Sequence, residues 1–358
     1  MIEPAAFAAL LCDYCLEASP GQQVVVRSTT LAAPLLLELQ RALLEREAWP
    51  LLRTALPEQE LSFWSAAGDA QLDGFAPAEL AEAEATDASI AIQAPENTRA
   101  LAGVDPARLA RAARARAAIR EAALRRRWCS TLWPTPAGAQ QAGMATPEFA
   151  AFVRRATFLD RDDPIAAWRE LRDAQAALVE RLSRASEIRI EAEGTDLVLS
   201  VAGRTWINSD GRRNMPSGEV FTGPVETSAE GRIRFGVPSS PRGVEVAGIE
   251  LELREGVVVA AHADRGDDVL QATLATDDGA RRLGEIGIGT NPGIDRPVGA
   301  ILFDEKIGGT VHLAVGRSYP ETGGTTESAV HWDMICDLRG GGRLSADGET
   351  ISENGVFA

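Results

Sequence analysis

At Ser186 the apolar residues of this chain change their period. Upstream they recur at helical spacing between short apolar runs, and downstream, from Glu187, they alternate one in two. That switch excludes a single uniform architecture. It predicts an α/β N-terminal domain over residues 1–186 and a β-rich α+β C-terminal domain over 187–358. The upstream half predicts helices over 4–18, 31–46, 106–127, 146–157 and 163–185, with short buried strands at 23–27, 88–92 and 128–132. Asp105 reads as the N-cap of the third helix and Pro106 as its first turn. Strand and helix in alternation imply a parallel layer. Downstream, EIRIEAEG, TDLVLSVAG, RIRFGVP and VEVAGIELELREGVVVAAHAD carry the two-residue alternation, punctuated by glycine and Asp-Gly. One helix is predicted over 268–284, after the acidic capping signals Asp267 and Asp268.

Charge and cysteine content narrow the function classes. The 358 residues include 36 basic and 52 acidic side chains, a formal net charge of −16, which argues against general nucleic-acid binding. Residues 108–127 hold eight arginines, a candidate anion patch, but no aromatic residue interleaves them and a solvated or carboxylate-paired face is the favoured reading. Cys12 and Cys15 form a C-x-x-C without a second such pair, inside an apolar helical stretch, and read as packed core cysteines; Cys129 and Cys336 are isolated. The N-terminal stretch lacks a basic n-region, and no run of 18 uncharged apolar residues occurs. The expectation is a cytoplasmic protein with no membrane partner.

Chemistry-bearing residues concentrate between Trp206 and Asp337. Four segments there are dense in glycine, carboxylates and histidine: WINSDGRRNMPSGEVFTGPVE (206–226), LGEIGIGTNPGI (283–294), ILFDEKIGGTVHLAVGRSYPETGG (301–324) and SAVHWDMICDLR (328–339). On an extended segment His331 and Asp333 point to one face and Trp332 to the other. His312 likewise opposes Val311 and Leu313. Glu219 follows the Pro216-Ser217-Gly218 turn, and Glu285 follows Gly284 at the predicted end of a helix. Tyr319, one of two tyrosines, lies beyond a turn. Each residue alone has a plain structural reading. Together, two Glu, two His and one Asp make an N/O ligand set, and three carboxylates in one pocket repel unless divalent cations neutralise them. A pair of divalent ions fits that count and is a recurrent device for hydrolysis. Lys306, the sole lysine, lies in DEKIGGT beside the set, to bind a substrate carboxylate or water, or to pair with Asp304 or Glu305. His262, at a strand end, reads as structural or as support for a ligand.

These segments resemble the metalloaminopeptidase family of aminopeptidase T and aminopeptidase S, in order and over about 187–358. The resemblance implies that Glu219, Glu285, His312, His331 and Asp333 ligate two divalent ions (zinc, cobalt or magnesium). It also implies that Tyr319 is the active-site phenol, that the substrate is a peptide and that the protein is a homodimer. Tyr319 and Glu219 are the candidate catalytic residues; which of Glu219 and Glu285 bridges the ions stays open. The alternative is a ring-cleaving dioxygenase acting on a hydroxypyridine-like substrate, with one non-haem iron held by His312, His331 and Asp333. Against it, one iron has no need of Glu219 and Glu285 as well.

Overall fold

Residues 2–239 and 241–358 are described by a computed structural model of the chain. They form two units, one reaching to Ile165 and including Gly211–Pro216, the other made of Ala166–Asp210 and Ser217–Ala358.

The first unit is built on a five-stranded parallel sheet. Its order is Trp49–Ala55, Gln23–Thr29, Ala88–Gln93, Arg127–Leu132 and Asn214–Met215. Consecutive burial of Val24, Val25 and Val26 fits a strand covered on both faces. Trp49–Ala55, which the sequence reading passed over, is an edge strand, where Pro50 is tolerated. The expected helix 4–18 is an α-helix over Pro4–Leu10 followed by a π-helical turn over Leu11–Leu16. Cys12 and Cys15 are buried free thiols, and burial pushes Cys12 up to about 12. The expected helix 106–127 is two helices, Pro106–Ala115 and Ala117–Leu124. The break falls at Arg116, whose guanidinium lies 5.4 Å over the Phe63 ring and donates to the Gln71 carbonyl at 3.2 Å. Its neighbours are spoken for too: Arg111 pairs with Asp69 and Asp73, Arg127 with Glu17, and Arg108 and Arg126 donate to backbone carbonyls.

Two antiparallel sheets make the second unit, with a long helix over Pro164–Leu182. The larger has eight strands, in the order Val257–Arg265, Ala247–Arg254, Glu230–Phe235, Thr195–Ser200, Glu187–Ala192, Arg343–Ala346, Glu349–Glu353 and Val356–Phe357. The smaller has five: His331–Asp337, Thr310–Gly316, Leu283–Gly289, Glu219–Thr222 and Ile207–Ser209. Alternate residues of both sheets enter one apolar core. Ile188, Leu197, Ile233 and Leu251 come from the larger, and Ile286, Ile288, Val311, Leu313 and Met334 from the smaller.

The helix expected over 268–284 is corrected. It ends at Leu274, a 3-10 turn follows over Asp278–Arg281, and Leu283 begins a strand. Asp277 stops the helix in extended backbone. Its carboxylate accepts from the Ala280 amide and, across the fold, from Ser328 and the Ala329 amide. Glu285 therefore sits inside a strand, not at a helix end. Among the described residues no helix is long and apolar enough to cross a membrane.

Leu313 is fully buried on the core face of a strand paired on both sides. Leu313→Ala is expected to lower unfolding stability by about 2–5 kcal/mol, measured by urea denaturation.

Candidate metal centre

Strand alternation decides which side chains can meet. If Ile286, Ile288, Val311, Leu313, Trp332 and Met334 face the core, their neighbours must face away from it. Those neighbours are Glu285 and Gly287, His312 and Ala314, and His331, Asp333 and Ile335. Glu219 joins them from its own strand, with Val220 turned to the core. All five predicted ligands thus lie on one face of the smaller sheet.

Register then brings them together. Glu285 pairs with Ala314 and Ala314 with Asp333, so a methyl group lies between two carboxylates and leaves room above it. Phe221 pairs with Gly287, Gly287 with His312, and His312 with Ile335. Large and small alternate, and Gly287 is the gap into which the His312 imidazole leans. A Cβ on Gly287 would come within 2.1 Å of both Cε1 and Nε2 of that ring. Glu219 is set by the corner before it. Gly218 adopts φ +113°, and a Cβ there would meet Asn291 Cβ at 2.7 Å. Asn291 Nδ2 donates to the Ser217 carbonyl at 2.7 Å, and Gln175 Nε2 donates to the Glu219 carbonyl at 2.7 Å.

One hydrogen bond, between His312 and Glu285, joins the centre; its other contacts are longer, a spacing suited to cations. His312 Nε2 is 3.1 Å from Glu285 Oε1 and 3.4 Å from Glu219 Oε2. His331 donates from Nδ1 to the Arg317 carbonyl at 2.8 Å, which leaves Nε2 as the acceptor nitrogen. That nitrogen faces Glu285 Oε2 at 3.7 Å and Asp333 Oδ1 at 3.6 Å. Three acceptors pointing at one another call for a cation among them, and a ligating histidine commonly anchors its other nitrogen on a carbonyl in this way. Glu285 Oε2, Asp333 Oδ1 and His312 Nδ1 are buried without any hydrogen-bond partner. The donor atoms gather into two groups, each within 4.8 Å: Glu219, Glu285 and His312, and Glu285, His331 and Asp333. Glu285 belongs to both. The residues fit divalent cations in donor type and in orphaned polar atoms.

Burial shapes the charges. It raises Glu219 to about 7, against the opposing pull of Lys306, with Glu305 adding to the rise. Glu285 is raised for the same reason, the His312 hydrogen bond opposing it and Asp333 adding to it. Burial depresses His312, yet the hydrogen bond to Glu285 and the charge of Glu219 bring it to about 10. Burial, then the carboxylates of Glu285 and Asp333, keep the Tyr319 phenol protonated. Tyr319 is half-buried, its ring 5.0 Å from that of His331 and 5.7 Å from that of Phe221.

Lys306 has no exposed surface. It contacts Glu305 and lies 3.4 Å from Glu219 Oε1, while Asp304 instead accepts from the amides of Val298 and Gly299. The sequence leaves the partner of Lys306 open between Asp304 and Glu305, and the fold selects Glu305. Outside the centre, His262 is exposed near Asp264 and Asp267. A cavity of 450 Å³ opens beside His331 and Asp333, with Pro238, Ile301, Val330 and Ile335 among its walls.

A family model described as thermophilic metalloprotease (M29) matches residues 3–357. Aminopeptidase 2 of Geobacillus stearothermophilus is 33% identical over 387 aligned residues, covering 92% of this chain and 90% of that protein. Aminopeptidase T of Thermus thermophilus is 32% identical over 276 residues, covering 66% of this chain and 67% of that protein. Among solved structures, wild-type AmpT from Thermus thermophilus matches with a TM-score of 0.86 at 25% identity, over 99% of both chains. A 2,5-dihydroxypyridine dioxygenase from Pseudomonas putida KT2440 matches with a TM-score of 0.58 at 15% identity, over 99% of this chain and 97% of that one, a likeness of fold alone.

Gly287→Ala is expected to displace the His312 ring and cost about 1–3 kcal/mol of stability. The variant should retain less bound divalent metal than wild type, measured by elemental analysis of the purified folded protein.

Proposed function

The chain belongs to the thermophilic metalloprotease family, and from that premise we propose that it is an aminopeptidase working with two divalent ions held by Glu219, Glu285, His312, His331 and Asp333. The observation that carries this reading is the acceptor nitrogen of His331 facing two carboxylate oxygens, beside a second donor group that shares Glu285. Glu285, which belongs to both donor groups, would serve both ions. Bound there, zinc, cobalt or magnesium supplies Lewis acidity toward a scissile carbonyl and lowers the pKa of a water.

The chain's own residues supply the rest. Tyr319, kept protonated by burial and by carboxylates, donates a hydrogen bond to the oxyanion that develops on the scissile carbonyl. Glu219 is both a ligand and the second candidate catalytic residue. Glu285 and Asp333 give negative charge to hold the free α-amine of a peptide, and the adjoining cavity gives its terminal residue room. The homodimer expectation finds support in Leu37 and Leu44, 62% and 53% exposed on one helix, and in Trp49, 65% exposed at the sheet edge. Light scattering tests it.

The dioxygenase alternative is weaker. A mononuclear site needs His312 and His331 on one ion, whereas the donor groups put them in different sets. It also leaves Glu219 without a task.

Metal analysis and an activity panel test the proposal together. Two ions per chain and hydrolysis of aminoacyl-p-nitroanilides are expected, lost on chelation and restored by zinc or cobalt. One iron with oxygen consumption on a hydroxypyridine would sink it. Glu285→Gln should lower metal content more than Glu219→Gln, because it removes a donor from both groups; if neither lowers it, the two-ion assignment is wrong. Tyr319→Phe should lower kcat by about 10²–10³-fold with KM little changed, read from steady-state kinetics.

A further inference from the structure

The two donor groups are not equivalent. Glu219, Glu285 and His312 are all buried, and a fully buried ammonium, Lys306 Nζ, lies 3.4 Å from Glu219 Oε1. The opposite oxygen, Oε2, is the one near His312. Among the described residues no lysine or arginine forms an ion pair with Glu285, His331 or Asp333, and His331 keeps 18% of its side chain exposed. An ion in the first group therefore meets a carboxylate that already shares its charge with a cation, inside a region where water screens little. An ion in the second group meets that ammonium only through its weaker attraction to Asp333.

We propose that Lys306 is a positioning residue that makes the two metal positions unequal, so that the Glu285–His331–Asp333 position fills first and tightly while the Glu219–Glu285–His312 position is the weaker, exchangeable one. Lys306 holds Glu219 by Oε1, aims Oε2 at His312 and opposes the incoming ion with its own charge. Glu305 moderates it, because the ammonium also contacts that carboxylate. This inference rests on the two-ion reading above.

The experiment titrates cobalt(II) into the metal-free full-length chain and follows calorimetry and visible absorption. Wild type should show two steps of different affinity, with His331→Ala removing the tight step and His312→Ala the weak one. Lys306→Met removes the opposing charge and should tighten the weak step, on the order of tenfold or more, and the tight one by clearly less. Glu305→Gln leaves the ammonium to Glu219 alone and should weaken the same step several-fold. A purely structural lysine would not give shifts of opposite sign in the two variants. If Lys306→Met leaves the weak step unchanged or weaker, or Glu305→Gln leaves it unchanged or tighter, the role of Lys306 is overturned while the two-ion reading stands. Reversal of the two histidine results overturns it as well. A wild-type chain that takes up only one ion overturns both.

Discussion

Carboxylates withdrawn from water repel one another and stay ionised only beside cations. Glu219, Glu285, Glu305 and Asp333 are gathered on and beside one sheet face, with Lys306 the lone ammonium among them. The surplus negative charge is the constraint to which the surrounding structure answers. Alternation along the strands keeps it off the apolar core. Ala314 and Gly287 clear space for it, and the Arg317 carbonyl fixes which nitrogen of His331 faces it. Glu285 Oε2 and Asp333 Oδ1 are left buried without a hydrogen-bond partner, as acceptors reserved for a cation would be.

Sequence reading located this face because period two is a local signal. Val311-His312-Leu313 and His331-Trp332-Asp333 each state which side chain points away from the core, and the structure has them so. Glu285 was assigned to the right neighbourhood but the wrong element. Acidic capping residues and an apolar spacing favoured one long helix, and only long-range hydrogen bonds from Ser328 and Ala329 to Asp277 end it early. Gly287 carried no local signal at all. Its meaning lies in the cross-strand register with His312, between residues 25 apart in the chain. Asp304 and Glu305 are equal candidates to pair with Lys306 in sequence, and only the fold puts the ammonium between Glu305 and Glu219. The Trp49–Ala55 strand was obscured by Pro50, which an edge position tolerates.

A protein named as a dioxygenase shares this fold, so the fold by itself selects neither hydrolysis nor oxidation. What discriminates is the partition of donors. Two histidines fall in separate donor groups that share Glu285, and the two-ion proposal rests on that arrangement.

Burial of the chain's one lysine reaches beyond the site. With Lys306 fully enclosed, the folded chain presents no side-chain amine to solvent. Acylating reagents would find no ε-amine to label on its surface, and attachment through ε-amines would fail. The corollary is a built-in reporter: an acyl mark on Lys306 would record that the buried charge cluster had opened.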